Sequence, residues 1–202
     1  MEGLKDQQKT ASKIKWLLTS SSPTWLKQAI ANPIELLIDH ANCERKAAGA
    51  AVQMMFRYLC EPGLAEALSP LAREELEHFE RVMAILRTRG RYLEPLPAPP
   101  YASLLAKNVR KEEPGRMLDG FLVSGLIEAR SHERMALLAL NSPDMELRNL
   151  YKDLLKSEAR HSCIYWNLAK ERFDQEIIFE RLKELSRIEA NILSDVHPQP
   201  RM

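Results

Sequence analysis

Four glutamates stand on the apolar stripes of four helix-period segments, and this constrains the fold more than any other feature of the chain. One stripe reads Leu37, Ala41, Glu44, Ala48, Ala51, Met55, and a second reads Leu71, Glu75, His78, Val82, Ile85. A third reads Leu118, Phe121, Gly125, Glu128, His132, Met135, and a fourth Leu147, Leu150, Leu154, Glu158, His161, Tyr165, Leu168. Steps of three and four put each set on one helix face, so the glutamates point where the leucines point. A buried carboxylate without a partner is costly. A fold that accepts this chain must therefore supply these groups with partners inside it.

A Glu-rich run such as "EELEHFE" is most often an exposed helix face. Here "SEARHSC" repeats its Glu-x-x-His, and each pair has a lone glutamate upstream. Glu44 precedes Glu75 by thirty-one residues and Glu128 precedes Glu158 by thirty. The chemistry is thus duplicated between the two halves of the chain.

Turn signals divide the chain into helices. A short helix is expected over 23–31, ending before Pro33. Long helices follow over about 34–59, from about 64 to near Gly90 with a kink at Pro70, over about 116–140, and from Ser142-Pro143-Asp144 to about 172. A short helix is expected at 101–110 and an amphipathic one at 174–194. "EPLPAPP" at 94–100 cannot be helical and lies in a crossover of about 25 residues. Four long helices with one long crossover predict an all-α, ferritin-like four-helix bundle. The expected organisation is a single domain over 1–202, with 1–22 and 195–202 loosely ordered. Ala47 to Ala51 around Gly49 suggest close helix packing there.

Of 202 residues, 45% are hydrophobic and 28% charged, enough for one sizeable core. The net charge of +1 points to neither nucleic acid nor an anionic membrane. No run approaches the roughly 18–20 apolar residues of a membrane span, and the first residues lack a signal-peptide core. Three cysteines, Cys43, Cys60 and Cys163, exclude a four-thiolate iron–sulfur cluster and suit a reducing compartment. The expected location is the cytoplasm.

Four carboxylates and two imidazoles on four facing helices form the ligand set of di-iron and di-manganese carboxylate bundles. Mixed oxygen and nitrogen donors suit Fe(II) or Mn(II). The candidate ligands are Glu44, Glu75, His78, Glu128, Glu158 and His161. His40 and His132 lie one turn from Glu44 and Glu128, and for each a core or partly exposed histidine is the plainer reading. Such a site can activate dioxygen for hydroxylation, and equally serve iron oxidation, peroxide reduction or desaturation.

The segments "LLIDHANCERKAAGAA", "LAREELEHFERV", "GLIEARSHERM" and "SEARH" resemble the tRNA 2-methylthio-N6-isopentenyladenosine hydroxylase (MiaE) family over about 30–190. The resemblance implies a non-haem di-iron monooxygenase with two iron ions and dioxygen as co-substrate. It implies hydroxylation of the isopentenyl group of the modified adenosine beside the tRNA anticodon, giving the 2-methylthio-cis-ribozeatin nucleoside. The family's ligands fall on the same six residues. Two electrons must come from an external reductase, because the chain has no flavin or nicotinamide fingerprint. Candidate tRNA contacts are Arg87, Arg89, Arg91, Lys107, Arg110, Lys111 and Arg116, for which helix-end solvation is an equal alternative. The competing function is a ferroxidase or a rubrerythrin-like iron-handling protein.

Overall fold

A computed structural model describes residues 16–202, and among these every regular element is helical. In chain order they are α1 (Pro23–Ala31), α2 (Pro33–Arg57), α3 (Leu64–Thr88), α4 (Pro100–Ala106), α5 (Gly115–Asn141), α6 (Met145–Lys170) and α7 (Gln175–Ile192).

Local chemistry sets most of the boundaries. Ser22 caps α1, its hydroxyl accepting from the Trp25 N–H at 3.1 Å, and Pro23 follows as a pre-set first residue. Asp144 caps α6 by accepting from the N–H groups of Glu146 and Leu147 at 3.0 and 3.2 Å. α3 closes on Gly90, whose φ of 67° demands glycine. Arg91 N–H reaches Leu86 C=O at 2.9 Å and Gly90 N–H reaches Arg87 C=O at 3.0 Å, which is the Schellman pattern.

α3 begins at Leu64, as the stripe requires, and continues through Pro70. An interior proline costs about 3 kcal/mol. Leu64, Leu68 and Leu71 are each no more than 1% exposed, and burial of a leucine contributes about 1.5–3 kcal/mol. Three such residues outweigh the proline. Gly49 departs from expectation: a Cβ added there meets nothing within 4 Å, so no helix packs closely against it.

The chain's contacts group into two compact units. α5 and α6 each give one half to each unit. The first unit comprises 21–100, 131–157 and 196–202. Its core joins Leu37 and Ala41 of α2, Val82 and Leu86 of α3, Met135 of α5 and Tyr151 of α6. The C-terminal residues contribute contacts to this unit. Arg201 C=O accepts from Trp25 Nε1 at 2.6 Å, Arg201 Nη1 meets Glu35 at 3.1 Å, and Met202 N–H donates to Asp39 Oδ2 at 2.7 Å. These are buried polar groups fixed by partners distant in sequence, so the tail carries no periodic signal of its own.

Of the described residues, the second unit comprises 16–20, 101–130 and 158–195. Trp16 packs edge-on against Trp166 with ring centroids 6.0 Å apart, and its C=O accepts from the Ser186 hydroxyl at 2.8 Å. Gly125 makes room for it, since a Cβ there would stand 2.3 Å from the indole. Arg130 and Glu189 form a buried ion pair at 2.8 Å, and Arg130 also donates to Thr19 C=O at 2.9 Å. In the first unit, Ser21 is held by Glu133 through its N–H and hydroxyl at 2.9 and 2.6 Å. Trp16, Thr19 and Ser21 thus each have a partner distant in sequence. The expectation for residues 1–15 lies outside the described residues.

Candidate metal centre

In the first unit, α2 presents Glu44, and α3 presents Glu75 and His78 one turn apart. Each offers a ligand atom, and the three atoms lie within 4.8 Å of one another. His78 Nδ1 is 3.6 Å from Glu44 Oε2 and 3.8 Å from Glu75 Oε2. The other imidazole nitrogen fixes the tautomer. The Ser157 hydroxyl gives its one proton to Leu154 C=O at 2.8 Å, so at 2.9 Å it accepts from His78 Nε2–H. His78 then turns the Nδ1 lone pair toward two carboxylates. That is repulsive on its own and becomes favourable with a cation between them.

Glu44 has a second partner. His40 is fully buried one turn earlier on α2, and its Nε2 lies 2.5 Å from Glu44 Oε1. The His40 ring stacks on Tyr151 of α6, with centroids 5.6 Å apart and planes 25° apart. Burial pushes the Glu44 carboxyl up, but the His40 contact outweighs this and holds it well below the usual carboxylate range. Glu44 is thus kept ionised. Burial, together with the charge of Glu44, pushes the Tyr151 phenol far up, keeping it protonated.

In the second unit, α5 presents Glu128, and α6 presents Glu158 and His161. Their ligand atoms also lie within 4.8 Å of one another. His161 Nδ1 stands 3.8 Å from Glu128 Oε2 and 3.9 Å from Glu158 Oε1, with the same nitrogen facing two carboxylates. None of the six residues in the two triads is more than 5% exposed. Each unit therefore holds one Glu-Glu-His triad whose donors and burial fit a divalent ion of the Fe(II) or Mn(II) kind.

His132 is half-exposed. Cys43 directs its thiol to Asp39 Oδ2 at 3.9 Å. His40, for which a plain core histidine was the simpler expectation, instead contacts a candidate ligand. Ser157 carried no sequence signal, since its partner His78 is 79 residues away.

The basic candidates fall into two groups. Arg89 pairs with Asp144 and Glu146 at 2.9 and 2.7 Å, Arg91 with Glu94 at 2.7 Å, and Arg110 with the buried Asp119 at 2.7 Å. Arg87, Lys107 and Lys111 are exposed, and Arg116 is half-buried. Among the described residues no helix is long and apolar enough to cross a membrane.

Known proteins resemble this chain over most of its length. The profile of the tRNA-(MS2IO6A)-hydroxylase (MiaE) family matches residues 8–202. A Pseudomonas putida protein named tRNA 2-(methylsulfanyl)-N(6)-isopentenyladenosine(37) hydroxylase is 44% identical, over 81% of this chain and 78% of its own. A Salmonella typhimurium protein of the same name is 29% identical, over 78% of this chain and 75% of its own. Among solved structures, a Synechococcus protein described as having aldehyde deformylating oxygenase activity is 65% identical, with a TM-score of 0.91 over 93% of both chains. The likeness establishes a ferritin-like helical fold.

Proposed function

This chain belongs to the MiaE family of tRNA hydroxylases, and from that premise we infer that it hydroxylates the isopentenyl group of 2-methylthio-N6-isopentenyladenosine in tRNA. The product is the 2-methylthio-cis-ribozeatin nucleoside. The observation that carries the reading at the level of chemistry is the pair of buried Glu-Glu-His triads, one in each unit.

The metal we propose is iron, two ions per chain. Glu44, Glu75 and His78 would hold one, and Glu128, Glu158 and His161 the other. Four carboxylates then balance the four charges of two ferrous ions, which makes burial of the set tolerable. When bound, the irons supply a reduced centre for dioxygen activation. The chain's own residues do the rest. Ser157 holds His78 in the tautomer that offers Nδ1. The His40 contact keeps Glu44 ionised. The apolar helix faces around the triads limit water, which favours attack on the substrate over wasteful reduction of oxygen.

The balance of the reaction is fixed. One oxygen atom of dioxygen enters the C–H bond as hydroxyl and the other leaves as water, consuming two electrons and two protons. We propose an external reductase as the source of the electrons, and a tRNA substrate favours the cytoplasm as the location. For tRNA phosphates we propose Arg87, Lys107 and Lys111 first, being exposed, then Arg89, Arg91, Arg110 and Arg116.

A second reading rests on the Synechococcus neighbour, whose described activity is on an aldehyde. One experiment separates the two. Iron-reconstituted protein, with a reductant and dioxygen, is offered tRNA carrying the unhydroxylated nucleoside and, in a parallel arm, an aliphatic aldehyde. Mass spectrometry of the digested tRNA is expected to show one added oxygen on the isopentenyl nucleoside. Unchanged tRNA together with deformylated aldehyde would overturn the hydroxylase assignment in favour of the second reading.

A further inference from the structure

We propose that His40 is a positioning residue that makes Glu44 a one-oxygen ligand. The proposal rests on the reading of Glu44, Glu75 and His78 as an iron site. Glu44 has its two oxygens in different company. Oε1 lies 2.5 Å from His40 Nε2, and Oε2 lies 3.6 Å from His78 Nδ1, the nitrogen that faces the triad. An oxygen engaged by an N–H at that distance has one of its two in-plane lone pairs occupied and its charge partly compensated, so Oε2, which His40 does not engage, is the stronger donor to a metal. A carboxylate free of such a contact can chelate through both oxygens and fill one more coordination position. That position is the one an oxygen-using centre needs open.

The geometry indicates that this contact is held in place and is more than an incidental neighbour. His40 is 0% exposed, and its ring lies against Tyr151 at 25° between planes, which fixes the rotation that aims Nε2. The i to i+4 spacing on α2 sets the distance. His40 Nδ1 has no hydrogen-bond partner among the described residues, so the proton belongs on Nε2, where Glu44 accepts it. Asp39, the neighbour of His40 in sequence, accepts from the Met202 N–H at 2.7 Å.

Two substitutions separate the N–H from the ring. His40→Phe keeps the stack on Tyr151 and removes the donor. His40→Gln keeps a donor and removes the ring. The full chain is titrated anaerobically with ferrous iron, and near-infrared magnetic circular dichroism reports the ligand number of each iron. In His40→Phe, the bands of one iron are expected to shift as it gains a ligand, while its affinity falls roughly 10–100-fold. In His40→Gln the bands are expected to match wild type. Unshifted bands in His40→Phe, or an equal shift in both variants, overturn the proposal, the latter by assigning the effect to ring packing. Should His40→Phe not fold, His40→Leu replaces it with the same expectations. Glu44→Ala is run alongside. If it still binds two irons, the iron-site reading itself fails. If it loses one while the His40 variants keep wild-type bands, only the positioning role fails.

Discussion

Replacing Ser157 with alanine tests how the first triad is organised without touching a candidate ligand. The hydroxyl bridges Leu154 C=O at 2.8 Å and His78 Nε2 at 2.9 Å, and its single proton is committed to the carbonyl. In Ser157→Ala, Nε2–H loses that acceptor. The tautomer that puts the proton on Nδ1, toward Glu44 and Glu75 at 3.6 and 3.8 Å, becomes competitive. Iron must then displace a proton that the wild-type protein does not keep there. Loss of such an outer contact costs about 10–100-fold in metal affinity, which is about 1.4–2.7 kcal/mol. Anaerobic titration with ferrous iron should show one of two irons weakened by this factor, with helical circular dichroism unchanged. Ser157→Thr, which keeps the hydroxyl, should bind within a few-fold of wild type. Wild-type affinity for both irons in Ser157→Ala would refute the tautomer argument.

Other expectations follow from the rest of the fold. Gly125→Ala drives a Cβ into the Trp16 ring, and the overpacking should cost about 1–3 kcal/mol; the same substitution in a Trp16→Ala background should cost far less, and equal costs in the two backgrounds by urea unfolding would contradict the contact. Burial pushes the Asp119 carboxyl up, but Arg181 and Arg110 outweigh burial and hold it below its ordinary value. Its contribution to stability is therefore full above the unfolded value near 3.9 and is lost as pH falls through the lower folded value. The stability gap between wild type and Asp119→Asn should be constant above about pH 5 and close below about pH 4; a gap that widens in acid would reverse the sign. Charge reversal of Lys107 and Lys111 together should weaken tRNA binding and flatten its salt dependence with iron content unchanged, as a filter-binding assay at several salt concentrations would show.

The apolar stripes were legible because helix periodicity is local, and the same periodicity exposed Glu44, Glu75, Glu128 and Glu158 as misplaced charges. A start near Leu64 with Pro70 inside the helix was legible too, and the buried Leu64 and Leu68 carry the helix through the proline. What the sequence hid is what depends on distant partners. Trp16 is seated by Gly125 and Ser186, and Arg201 by Trp25 and Glu35, across separations no local pattern reveals. His40 and His132 look alike in sequence, each one turn from a glutamate. Only the packing of Tyr151 against His40 marks it as the buried one, while His132 stays half-exposed.

The central claim is that each Glu-Glu-His triad holds one iron. A crystal of the chain loaded anaerobically with ferrous iron, measured at the iron absorption edge, tests it most directly. Two anomalous peaks per chain are expected, one against Glu44, Glu75 and His78 and one against Glu128, Glu158 and His161. A single peak, or iron bound away from both triads, would contradict it.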